Sequence, residues 1–146
     1  MKRLALLGAT GSIGVQTLDI VRENPERFSV TVLTANRQWE LLARQALEFR
    51  PAVVVIADER YYGPLKERLA GERIEVLAGE EAIAAAVADS RVDTVVNALV
   101  GYAGLRPTVA ALEAGKELAQ SRAAFRSAAG VTGGPSKTLY DVEVDD

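Results

Sequence analysis

Residues 2–14 read KRLALLGATGSIG, a short apolar run that stops in glycines at 8, 11 and 14. Leu4, Ala5, Leu6 and Leu7 have the length expected of a strand covered on both faces. Beyond Gly8 the apolar spacing becomes helical, with Ile13, Leu18 and Val21 recurring on one side. The unit is therefore strand, tight turn, helix. Glycine lets the chain reverse sharply at Gly8, admits a phosphate against bare backbone at Gly11, and lets the helix lie close to the strand at Gly14. A helix starting there turns unpaired N–H groups and the positive end of its dipole toward a pyrophosphate. Thr10 and Ser12 add hydroxyl donors to the same turn. A glycine triplet alone is common in plain turns; at the first strand-to-helix turn of an alternating chain it points to nucleotide binding.

Working outward, the helix is expected over Ser12–Glu23, stopping at Asn24 because the residue before Pro25 resists helical geometry. The second strand is expected at residues 28–33, FSVTVL, where apolar and polar residues alternate. In the dinucleotide-binding fold the end of this strand reads the adenine ribose. Here that place holds Thr34, Ala35, Asn36 and Arg37. An acid would accept hydrogen bonds from the ribose 2′-hydroxyl, but none occurs before Glu40. Arg37 instead offers a guanidinium that can fork onto a 2′-phosphate, which favours NADPH over NADH. The alternative for Arg37 is a solvated loop cation.

Further along, helices are expected at residues 39–48, 61–70 and 80–88, and strands at 51–57, 73–77 and 92–100. A last helix carries Pro107 near its start and continues through 109–114 to a glycine cap at Gly115, followed by a strand at Glu117–Ala119. The segment VDTVVNALV at 92–100 closes on Gly101. Small residues at the carboxyl edge of a parallel sheet line a cofactor crevice, so Ala98 and Gly101 are candidates to border the nicotinamide ribose. Asn97 has two readings, the same border or a residue satisfying backbone groups in a turn. From Gln120 the pattern dissolves into a linker-like GVTGGPSK and an acidic DVEVDD. The expected architecture is α/β: a Rossmann-like doubly wound parallel sheet forming one domain over residues 1–119, with a poorly patterned, loosely ordered tail at 120–146.

Composition narrows the chemistry. The 146 residues include no cysteine and no histidine, which excludes disulfides, thiolate nucleophiles, Cys/His zinc sites and histidine general bases in this chain. A net charge of -3, with no Lys/Arg block, argues against nucleic acid as a partner. No apolar run approaches membrane-spanning length and the first strand begins at once, so the expectation is a cytoplasmic protein with no cleavable signal.

The segments LLGATGSIGVQTLDIVRENPERFSVTVLTANR, LEFRP and VDTVVNALVGYAGLRPTVAALEAGK together resemble the N-terminal NADPH-binding domain of the 1-deoxy-D-xylulose 5-phosphate reductoisomerases. The resemblance covers residues 1 to about 119. It implies a role in the non-mevalonate isoprenoid pathway, where the family converts a keto-sugar phosphate to 2-C-methyl-D-erythritol 4-phosphate with NADPH and a divalent metal, Mg or Mn. It places the pyrophosphate loop on Thr10, Gly11, Ser12 and Ile13, and the 2′-phosphate reader on Asn36, Arg37 and Gln38.

Past Lys116 the resemblance fails. Where the family carries an Asn-Lys-Glu motif, this chain has Arg122, Ala123 and Ala124. The family's metal-binding acids, substrate loop and histidine are expected to be absent with its catalytic domain, leaving no catalytic and no metal residues here. The expectation is a domain that binds NADPH without catalysis. Two alternatives stand beside it: the nucleotide domain of another dehydrogenase, such as a semialdehyde dehydrogenase, and a nucleotide-sensing or interaction module. An unpaired sheet edge left by missing strands invites a second copy, so a homodimer belongs to the same set of expectations.

Overall fold

The computed structural model describes residues 1–99, 105–119 and Phe125. Among them six strands form one sheet: β1 (Lys2–Leu7), β2 (Phe28–Ala35), β3 (Val53–Ile56), β4 (Glu75–Ala78), β5 (Thr94–Asn97) and β6 (Glu117–Ala119). Their order is β4-β3-β2-β1-β5-β6, and every neighbouring pair is parallel. The chain steps outward from β1 to β4, then returns across the sheet to β5 on the other side of β1. The loops after β1 and β5 consequently diverge, which opens a crevice at the carboxyl ends of those strands.

Among the described residues five helices of a turn or more cover the sheet: α1 (Ser12–Glu23), α2 (Trp39–Phe49), α3 (Tyr62–Arg68), α4 (Glu80–Val87) and α5 (Leu105–Glu113). Strand alternation divides the core. Leu4 and Leu6 pack with Leu18 and Val21 of α1, Leu42 and Ala46 of α2 and Leu65 of α3. Ala5 and Leu7 face the opposite side, with Ile83 and Val87 of α4 and Ala111 of α5. This is the doubly wound α/β arrangement that the alternating pattern implies.

Local punctuation set several boundaries as read. Helix α1 spans Ser12–Glu23 and ends at Asn24, whose Nδ2 donates to the carbonyl of Ile20 at 2.8 Å. Gly115 lies at φ 74°, a left-handed turn that glycine alone adopts cheaply. Other boundaries moved. The expected helix at 61–70 is a 3-10 turn over Glu59–Tyr61 followed by α3, because the Asp58 side chain accepts the Arg60 N–H and starts the turn early. Helix α5 begins at Leu105, placing Pro107 within the first turn, where its missing N–H leaves no helical bond unmade. The strand expected at 92–100 is only Thr94–Asn97.

The second strand, expected at residues 28–33, runs on to Ala35, and β2 is buried throughout except at Ser29, which is half-buried. Its threonines are absorbed by hydrogen bonds rather than by solvent. Thr31 donates to the carbonyl of Arg91 at 2.9 Å, and it is the extra residue at a bulge where β1 and β2 slip register beside Leu4 and Ala5. Phe125 lies beyond the expected domain limit at 119, yet it is 1% exposed and its ring sits 5.0 Å from that of Phe28. The remainder of the tail, residues 120–124 and 126–146, lies outside the described residues.

Candidate nucleotide-binding site

The turn after β1 is held from below by β2 and α2. Gly8 donates to the Thr34 hydroxyl at 3.1 Å, and Ala9 donates to the Thr34 carbonyl at 2.8 Å. The Ala9 carbonyl in turn accepts from Nε2 of buried Gln45 at 2.9 Å. Gly8 sits at φ 79°, beside the main chain of Ala98. A Cβ on Gly14 would lie 2.0 Å from the carbonyl oxygen of Gly8 and 2.8 Å from two main-chain atoms of Ala9. These two glycines are therefore required by the fold itself.

Gly11 is different. Its φ of -78° and ψ of 174° suit any residue, and an added Cβ would meet only the Gly8 carbonyl oxygen at 3.7 Å, an ordinary contact. Nothing inside the protein demands glycine there, and the position is exposed. As the N-cap of α1 it supplies no side-chain hydrogen bond, and no acid stands in the helix's first turn. The first helical hydrogen bond runs from Val15 N–H back to Gly11 at 2.9 Å, so the amides of Ser12, Ile13 and Gly14 have no partner within the helix. Exposed Ser12 and half-buried Thr10 flank them. The result is bare backbone, converging N–H donors and a positive helix end, which is the chemistry of a phosphate cradle.

Asn36, Arg37 and Gln38 follow β2 and are all exposed. The Arg37 carbonyl accepts the N–H of Trp39 at 2.7 Å, which joins the loop to the start of α2. The Arg37 side chain is 67% exposed, with Nε 3.6 Å from Oδ2 of Asp58. Asp58 leaves the end of β3 and is 14% exposed. Two hydrogen bonds from the Arg60 guanidinium hold its carboxyl down to about 2. Asp58 and Gln45 are site-shaping residues that the sequence reading did not single out. An acid directly after a buried parallel strand was a legible signal for Asp58; nothing local marked Gln45.

Across the crevice, Ala98 abuts Gly8 and donates its N–H to the Leu7 carbonyl at 3.0 Å. Asn97 takes the turn reading: its Oδ1 accepts the Leu99 N–H at 3.0 Å and its Nδ2 donates to Thr108 at 3.1 Å. Those bonds peel the chain from the sheet and explain why β5 is short. Gly101 lies outside the described residues. Among the described residues no group of three or more His, Cys, Asp or Glu is placed to hold a metal, and no helix is long and apolar enough to cross a membrane.

An open parallel sheet with a glycine turn and an uncapped helix at its switch point defines a dinucleotide-binding type of α/β domain. The family model for 1-deoxy-D-xylulose 5-phosphate reductoisomerase matches residues 4–122. The chain belongs to that family. Similar relatives include the reductoisomerases of Laribacter hongkongensis, 51% identical over 118 residues, and Porphyromonas gingivalis, 53% identical over 118 residues; each match covers 81% of this chain. The matches cover 30% and 31% of those relatives, so the chain spans about a third of their length. A solved reductoisomerase in complex with NADPH, fosmidomycin and magnesium superposes with a TM-score of 0.79 at 39% identity, over 82% of this chain and 30% of that one. The Zymomonas mobilis enzyme in complex with NADPH gives a TM-score of 0.79 at 37% identity, over 96% of this chain and 38% of that one.

Proposed function

We propose that this chain is the NADPH-binding part of a reductoisomerase and that, by itself, it binds the cofactor without turning over the sugar phosphate. The observation that carries the reading is Gly11: an exposed glycine that the fold does not require, at an uncapped helix start. In this reading the amides of residues 12–14 and the hydroxyls of Thr10 and Ser12 receive the pyrophosphate. Gly8 and Gly14 keep the backbone low enough for its approach, and Ala98 with Gly101 borders the nicotinamide ribose. Asn36, Arg37 and Gln38 read the 2′-phosphate. NADPH supplies the hydride; the protein's part is to orient the ring and exclude water around it.

Catalysis asks more than orientation. Hydride transfer needs a substrate fixed against the nicotinamide. Arg122, Ala123 and Ala124 stand where the resemblance places the Asn-Lys-Glu motif, and a divalent metal, Mg or Mn, enters only with the rest of the family protein. The cysteine-free composition suits a cytoplasmic setting. Among the described residues β4 pairs only with β3 and β6 only with β5, and these two edges are where a homodimer would form, readable by light scattering.

Calorimetric titration of the chain with NADPH and NADH, repeated with Arg37→Ala, tests the reading. We expect saturable binding, NADPH tighter by about tenfold or more, and loss of that preference in the variant. Equal binding of the two cofactors, or none, overturns it, as does NADPH oxidation that depends on the keto-sugar phosphate.

A further inference from the structure

The loop that carries Arg37 does not stand alone at the crevice. Strands β2 and β3 run in parallel register with Ala35 beside Ile56, so the segments leaving them emerge side by side. Two main-chain bonds tie those segments together: Ala57 donates to the Ala35 carbonyl at 2.8 Å and Asp58 donates to the Asn36 carbonyl at 3.0 Å. Two residues further on, within the 3-10 turn, comes Arg60. Its Nη2 donates to Oδ2 of Asp58 at 2.6 Å and its Nε to Oδ1 at 3.0 Å. Oδ2 is the same atom that faces Arg37 Nε at 3.6 Å. One carboxylate oxygen thus gathers two guanidiniums, which stand no farther apart there than those two distances combined. Both remain open to solvent, Arg37 at 67% and Arg60 at 72% of the side chain.

Charge decides what this cluster can receive. Arg37 with Asp58 alone sums to zero, a poor match for a phosphate monoester carrying about -1.5 to -2 at neutral pH. Adding Arg60 makes the cluster net positive. The neighbouring acid, Glu59, is turned away from it, with its carboxylate against Gly79 at the start of α4. An arginine pair braced by a shared carboxylate keeps most of its N–H donors unspent, and the planar fork loses little freedom when it closes on a phosphate.

We propose that Arg60 is the second cation of the 2′-phosphate site and a determinant of preference for 2′-phosphorylated dinucleotides, with Asp58 positioning both guanidiniums. This rests on the cofactor reading above. The test is calorimetric titration of the whole chain, wild type against Arg60→Ala and Arg60→Lys, with NADPH, NADH, adenosine 2′,5′-bisphosphate and 5′-AMP. The expected result is about tenfold weaker NADPH and bisphosphate binding in Arg60→Ala. NADH and 5′-AMP should stay within twofold, partial recovery should appear with lysine, and the variant should stay cooperatively folded at the titration temperature, with only the small loss of stability expected from an exposed ion pair. An NADPH-to-NADH ratio in Arg60→Ala equal to that of the wild type, in a chain whose ratio collapses on Arg37→Ala, overturns the role of Arg60 and leaves the cofactor reading intact. A wild-type chain with no preference for NADPH overturns both.

Discussion

Alanine at Gly14 should damage the fold, whereas alanine at Gly11, three residues earlier, should spare the fold and damage ligand binding. A Cβ on Gly14 would sit 2.0 Å from the Gly8 carbonyl oxygen, about 1.4 Å short of ordinary contact, and 2.8 Å from two main-chain atoms of Ala9. All three are backbone atoms, and the turn they belong to is fixed by Thr34 and Gln45. No rotamer change can relieve the overlap, so α1 must move. Overpacking that side chains can absorb costs about 1–3 kcal/mol, and a backbone obstruction belongs at the upper end. Alanine's better helix propensity returns less than about 1 kcal/mol in a first turn. The net is a loss of about 2–3 kcal/mol, on the order of 10 °C in melting temperature for a domain of this size. At Gly11 the backbone tolerates any residue and the nearest atom is 3.7 Å away, so stability should fall by about 1 kcal/mol or less, the difference between glycine and alanine as an N-cap. The new methyl would stand where a phosphate approaches, and NADPH binding should weaken by about tenfold or more. Thermal unfolding followed by circular dichroism, with calorimetric titration below both transitions, separates the two effects. A Gly14→Ala chain melting within about 2 °C of wild type refutes the packing argument. A Gly11→Ala chain that binds NADPH as the wild type does refutes the cradle.

Other consequences are as direct. Thr34→Val removes the acceptor of the buried Gly8 N–H and should cost about 1–3 kcal/mol; an unchanged urea midpoint would show that the hydroxyl does not secure the turn. Phe125→Ala empties a site 1% exposed against Phe28 and should cost about 3–5 kcal/mol, with a melting temperature unchanged by the variant placing Phe125 outside the cooperative unit. Ser12→Asp puts a carboxylate in the first turn of α1, where none stands. It should raise stability by about 0.3–1 kcal/mol while weakening NADPH, and a gain in both would contradict an anion site there. Arg60, Arg91 and Arg3 hold the carboxyls of Asp58, Asp89 and Asp93 down to about 2. Because these folded values lie below the unfolded value of about 3.9, their contribution is complete above that value and disappears as pH falls from about 4 toward 2. With no histidine in the chain, the urea midpoint should be nearly level from pH 7 to about 5.5 and drop only in acid; a fall already complete by pH 5 would contradict this assignment.

What could be read from the sequence depended on how far away each cause lay. Helix α1 kept both expected ends because its signals, Gly11 before it and Asn24–Pro25 after it, are contiguous with it. The glycine turn was legible for the same reason: a positive φ at Gly8 and a close approach at Gly14 are local demands on residues within one turn of each other. Strand β5 ended early because Asn97 bonds to Thr108, a partner whose position depends on where α5 docks. Nothing local showed that Thr31 of β2 would be buried, because its partner is the carbonyl of Arg91, 60 residues away. Arg37 was placed at the right strand end, but its link to Asp58 crosses between neighbouring parallel strands and has no fixed spacing along the chain.

Among the described residues, glycines 11 and 79 cap α1 and α4, and the two helix starts contrast. Helix α4, capped by Gly79, places Glu80 and Glu81 in its first turn, and the Glu59 carboxylate reaches its N-cap. Its positive end is answered by the protein's own acids. Helix α1, capped by Gly11, has neither a side-chain cap nor an acid in its first turn. A capping Ser, Thr, Asp or Asn in place of glycine would contribute only a few tenths of a kcal/mol, so sparing that gain costs the fold little. In the proposed reading, a protein carboxylate there would compete with the cofactor phosphate for the same three amides. The two ends also differ in place: α4 starts beyond the edge strand β4, whereas α1 starts between β1 and β5, where the connections diverge. Of these two helix ends, the one topology sets at the crevice is that of α1, and the sequence withholds its acids from that end.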